Sequence, residues 1–139
     1  PSGYEGSNCG TVSVNKFLGT WDMMQVITGS DSTVFNHDTT YYQVALNKTA
    51  TPTTFFIFNF NNNLYYNNII CTIDSADSHY FTIDTISAKQ LLYDHYHIIS
   101  GYGSISSDNT LITANMITRH LGATSNWIAD TFYFRMNLH

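Results

Sequence analysis

From Trp21 onward the chain alternates with a period of two: Trp21, Met23, Gln25 and Ile27 fall on one face, and Asp22, Met24 and Val26 on the other. The run begins at about Leu18 and ends in Thr28-Gly29-Ser30-Asp31-Ser32, a string of turn formers. This is the signature of a half-buried strand, and it recurs. Thr39 to Leu46 sets Tyr41, Gln43 and Ala45 against Tyr42, Val44 and Leu46. Thr54 to Phe60 is apolar on both faces, so a helix, a neighbouring subunit or a closing arm is expected over its second face. Leu64 to Ile73, Tyr80 to Ile86, Leu91 to Ser100, Thr110 to His120 and Asn126 to Met136 read as further strands. Asn61-Asn62-Asn63, Asp74 to Ser78, Ser87 to Gln90, Gly101 to Asn109 and Leu121 to Ser125 separate them.

Strands at hairpin spacing, with no helical period and no internal repeat, predict one all-β domain over residues 1–139. The expected architecture is an eight-stranded up-and-down antiparallel barrel, preceded by an irregular N-terminal arm over residues 1–16. Composition agrees, because 15 % of the residues are aromatic and only 11 % are charged, a strand-forming mixture. The net charge is −5, and Lys16, Lys48, Lys89, Arg119 and Arg135 are scattered singly. No basic stripe forms, so neither nucleic acid nor an anionic membrane surface is an expected partner. The longest apolar run, Thr54 to Phe60, is strand-sized, and membrane insertion is not expected. The chain starts at Pro1 without a Met or a leader-like segment, which suggests a processed, secreted form.

Cys9 and Cys71 are the only cysteines, and an even count in a secreted chain predicts a disulfide pinning the arm to the fourth strand. Closing a loop of about 60 residues would contribute about 4 kcal/mol on the chain-entropy model. Two separate buried thiols are the alternative. Asn47-Lys48-Thr49 is a glycosylation sequon in a turn, with Asn47 as acceptor. Asp74 to Ser78 lacks the Gly and terminal Glu of a calcium loop and reads as a hairpin turn.

Gly19-Thr20-Trp21 resembles the Gly-x-Trp signature that opens the first barrel strand of lipocalins and their calycin relatives. Physically, Gly19 admits close backbone approach, while Trp21 supplies a large apolar plug with a single donor. Leu91-Leu92-Tyr93 is similar to the family's Thr-Asp-Tyr motif, with Tyr93 in place and leucines for the first two positions. A third family feature is an Arg near the chain end that packs across the first-strand Trp. Arg119 and Arg135 are the candidates, and Arg135, on the last strand, is the expected barrel-closing partner of Trp21. A guanidinium stacked there would contribute about 1–2 kcal/mol. The ending Asn126-Trp127 to Arg135 also looks somewhat like the last strand of avidins, without the polar set that biotin needs.

The resemblance implies a secreted carrier that holds a small hydrophobic ligand, such as a fatty acid or other lipid, in the barrel. Residues 33–38 fall where such a barrel carries the loop over its mouth. Candidate ligand-wall residues are Met23, Ile27, Phe56, Phe58, Tyr93, His97, Met116 and Tyr133, with plain core packing as the alternative for each. The inward faces of the third and sixth strands stay undecided. No cofactor and no metal site is expected; His95 and His97 share a strand face and offer the one arrangement that can ligate a metal or a haem. No Ser-His-Asp order, close carboxylate pair or reactive Cys stands out, so an enzyme is not expected. The rival reading is a structural or assembly subunit of an extracellular oligomer or filament, its barrel filled and its apolar outer face an interface.

Overall fold

The alternation that starts at Trp21 is the opening of a 12-residue strand. A computed structural model describes residues 4–5, 11–30, 38–60, 69–85, 96–121 and 127–139. Two short strands, β1 (Tyr4–Glu5) and β2 (Thr11–Val12), pair with each other and lead into a 3-10 helix, Ser13–Phe17. The barrel strands follow: β3 (Gly19–Ser30), β4 (Thr39–Lys48), β5 (Thr54–Phe58), β6 (Ile69–Ile73), β7 (Tyr80–Ile83), β8 (Tyr96–Ile105), β9 (Leu111–Leu121) and β10 (Trp127–Leu138). Each pairs antiparallel with the next, and β10 returns to β3, so the chain forms a closed eight-stranded up-and-down barrel. Closure removes the unpaired edges that an open sheet would present.

The arm is not irregular throughout. Its last turns form the 3-10 helix, which buries Val14 and Phe17 across one end of the barrel. Phe17 stacks on Phe55 at 4.8 Å and meets Phe81 edge-on at 5.6 Å. Trp21 is fully buried, and its indole N–H donates to the Phe17 carbonyl at 2.8 Å. The Lys16 ammonium donates to Ser78 Oγ at 2.7 Å, fastening the helix to the turn between β6 and β7. The plug expected of Trp21 is therefore present, supported from below by one helical turn. Gly19 serves for another reason than close approach: its φ is +131°, while an added Cβ would meet only Leu138 Cδ1 at 4.0 Å. Left-handed φ, not crowding, requires glycine where the helix turns into β3.

Several strand limits differ from the sequence reading: the first strand runs on through Thr28-Gly29-Ser30, expected as its turn, and the fifth ends at Ile83. The third strand ends at Phe58 because Asn59 adopts φ +65°, a value that Asn tolerates. That turn breaks the alternation and sends Phe60 inward, edge-on to Phe134 at 5.3 Å. Among the described residues the sixth strand covers Tyr96–Ile105, so it runs on past Ser100 and carries Gly101-Tyr102-Gly103 within it, while Leu91 to His95 lie outside the described residues. The two glycines make room for neighbours. A Cβ on Gly103 would collide with Phe81 Cζ and sit 2.7 Å from the Thr113 carbonyl oxygen, and one on Gly101 would sit 2.7 Å from Ile83 Cδ1. The actual connection is residues 106–110, where the Asp108 carboxylate accepts from Ser106 and Thr110. Those bonds, that from Ser106 foremost, hold its pKa below the ordinary aspartate value.

Candidate functional site

Inward positions on β9, β10 and β3 fall into rows set by strand register, as cross-strand partners share a face. Nearest the helix lies Ile112, Met136 and Met23; next come Ala114, Phe134 and Gln25; then Met116, Phe132 and Ile27. The row at the far end is Thr118, Asp130 and Ser30. A bulge opposite Thr131/Phe132 leaves Thr28 unpaired on β3 and reverses its alternation, so Ser30 instead of Gly29 joins this row. The lower barrel is packed solid by Phe17, Phe55, Phe81, Phe60 and Phe134. Polar side chains lie both within it and above it. Tyr42, opposite Met23 in the lowest row, donates its hydroxyl to Gln25 Oε1 in the second, and in the far-end row Ser30 Oγ donates to Asp130 Oδ1. Thr118 is 0 % exposed, and its Oγ1 has no hydrogen-bond partner among the described residues.

This arrangement accepts part of the expected ligand wall. Met23 and Met116 are buried inside, and Ile27 packs on the core from the third row while keeping partial exposure. Phe56 and Phe58 lie on the outer face, since Phe55 and Ile57 take the buried positions of β5. Tyr133 is likewise outside, between the buried Phe132 and Phe134. His97 takes a backbone place in β8 opposite Arg119. Tyr93 and His95 lie outside the described residues, as does the loop expected over the mouth, residues 33–37. Gln25, Tyr42, Thr118, Asp130, Ser30 and Phe132 complete the interior without having been singled out. Parity carried the signal for several of them: Gln25 shares a face with Trp21, and Thr118 with Met116.

The barrel-closing pair is not formed. Arg135 is exposed on the outer face and stands opposite Met24 and Thr113, whereas Trp21 points inward and its register partner is Leu138. Arg119 is also outside, and neither guanidinium shares a face with the indole.

Arg135, Asn137, Met24, Asp22, Tyr41 and Gln43 instead line a shallow outer groove of about 620 Å³ across β10, β3 and β4. The Asp22 carboxylate there lies 3.1 Å from His139 Nδ1 and accepts from Gln43 Nε2 at 2.9 Å. These two contacts, His139 first, hold its pKa below the usual value.

Cys71 is a free thiol, fully buried in β6, and Cys9 lies outside the described residues, so the expected bridge is not seen. Burial raises the Cys71 pKa well above its ordinary value, with the charge of Asp84 adding to the effect. Asn47 is exposed at the end of β4. The Asp74 to Ser78 segment is the expected turn: Asp74 Oδ1 accepts from the Ala76 and Asp77 amides at 2.6 and 3.2 Å. No cluster of three or more metal-binding side chains occurs among the described residues. Compared with protein-family models and with curated proteins, the chain matches none.

Proposed function

We propose that this protein is a calycin-like carrier that binds a small amphiphile at the far end of its barrel, without a chemical step. The observation that carries the reading is the layering of the interior. An apolar row, Met116, Phe132 and Ile27, lies directly beneath a polar one, Thr118, Asp130 and Ser30. A barrel that only needed a core has no use for the Thr118 hydroxyl, which is fully buried and without a partner among the described residues, since a buried polar group costs stability unless it is paired. The packed lower barrel restricts the ligand to this upper third. Gly19-Thr20-Trp21 at the closed end supports the family resemblance. Secretion and glycosylation at the exposed Asn47 belong to the same proposal.

A titration with a polarity-sensitive lipid probe tests it. The parent protein should bind the probe, and Ile27→Trp, at a partly exposed inward position, should abolish binding while the far-UV spectrum stays unchanged. Tyr41→Ala in the outer groove should have no effect, which separates interior from surface binding. Absence of probe binding by the parent refutes the carrier.

The second reading, a structural or assembly subunit, is favoured by the outer surface. Tyr41 is 74 % exposed and Tyr102 65 %, and Phe56 and Phe58 lie half-buried on the outer face of β5. Native mass spectrometry discriminates the two: a monomer with a bound small molecule supports the carrier, an empty higher oligomer the subunit.

A further inference from the structure

The chemistry of the far-end row narrows the class of head group that it accepts. Thr118 Oγ1 is buried without a partner among the described residues and shares an inward face with Met116. A hydroxyl can donate one hydrogen bond and accept two, so the vacancy suits either kind of partner. Its cross-strand neighbour Asp130 stands in register beside it and already accepts from Ser30. A carboxylate accepts only, and a second anion placed beside it is disfavoured. Arg119 and Arg135 both lie on the outer face, so neither brings positive charge to the row.

We infer that this row binds the hydroxyl head of an uncharged amphiphile, which pairs with Thr118 Oγ1 and donates to the Asp130 carboxylate, and that it disfavours the carboxylate of a fatty acid. The inference rests on the carrier reading and specifies its ligand class. The alkyl chain then lies on the Met116, Phe132 and Ile27 row. No solvent-sized space opens on Thr118 Oγ1, so the ligand must displace side chains to reach it. Met116, an unbranched thioether, can shift to let it in.

The test is displacement of the bound lipid probe by 1-dodecanol, dodecanoate and dodecane at neutral pH. Dodecanol should displace it at a concentration at least about tenfold below that of dodecanoate, the factor expected of one hydrogen bond to a charged group. Thr118→Val should weaken dodecanol by about tenfold and leave dodecane unchanged, whereas Thr118→Ser, which keeps the hydroxyl, should retain dodecanol affinity. Asp130→Asn should narrow the gap between alcohol and carboxylate. Dodecanoate binding as tightly as dodecanol in the parent, or dodecanol affinity unmoved by Thr118→Val, overturns the inference and leaves the carrier standing. Failure of the parent to bind the probe at all overturns both.

Discussion

Replacing Thr118 with Val should make the protein more stable. The two side chains have nearly the same shape, so the change removes a hydroxyl and adds a methyl in the same space. Thr118 is fully buried, and its Oγ1 has no partner among the described residues. A buried polar group in that condition costs about 1–3 kcal/mol, and an apolar isostere recovers much of it. Met116 and Phe132 lie one row beneath, with Asp130 across from position 118, and a gain of about 1–2 kcal/mol is expected. At about 2.1 cal/mol/K of unfolding entropy per residue, a chain of 139 residues shifts its midpoint by about 3 °C per kcal/mol. Thermal unfolding followed by circular dichroism should therefore show Thr118→Val melting about 3–7 °C higher than the parent. Thr118→Ser, which keeps the hydroxyl and loses the methyl, should melt lower. A Thr118→Val protein that melts lower than the parent refutes the reasoning, because it would mean that the hydroxyl makes a bond worth more than its burial costs.

Three further changes probe the rest of the frame. Gly103→Ala forces a Cβ against Phe81 and the Thr113 carbonyl and should cost about 2–3 kcal/mol in urea unfolding; adding Phe81→Leu should recover part of that loss, as coupled neighbours do. Arg135→Ala should leave stability within about 0.5 kcal/mol and Trp21 fluorescence unchanged, because the guanidinium is exposed on the face away from the indole. Cys71 should react with a thiol reagent only on unfolding. Because its folded pKa is raised, it adds stability below the unfolded thiol value of about 8.5 that is lost as pH rises above it, an alkaline slope that Cys71→Ala should reduce.

Period-two patterning located the barrel strands because each has one face in the core, and burial of that face fixes register. It failed where the outer face is also apolar. In β5, Phe55 and Ile57 point in and Phe56 and Phe58 out, yet all four are apolar, and only the register with β4 and β6 decides between them. In β10, Tyr133 has the polar tip that suits a ligand wall, but the buried Phe132 and Phe134 hold the inward places. Glycine misled in another way. Gly101 and Gly103 look like a turn locally and are needed instead because Ile83 and Phe81, far away in sequence, occupy the space of their missing side chains. The bulge at Thr28 was equally hidden, since an extra residue in one strand is defined only by its partner. Asp130 and Ser30 thus reached the candidate site through a pairing that neither strand shows alone.

The lower barrel suits both functional readings, as a carrier and a filled subunit alike need a plugged end. They part at Thr118. In a subunit whose interior is only core, an unpartnered hydroxyl is a cost without return, and Val at that position would serve better. In a carrier the same hydroxyl is kept because a ligand completes it, and the stability given up by the empty barrel returns as binding energy. Thr118→Val therefore has opposite signs in the two measurements under the carrier reading: a higher melting temperature and a weaker hold on dodecanol. A subunit with a filled barrel shows the first effect without the second. Running the two measurements on one variant separates the readings more sharply than either alone, because a misfolded protein would lose stability and binding together.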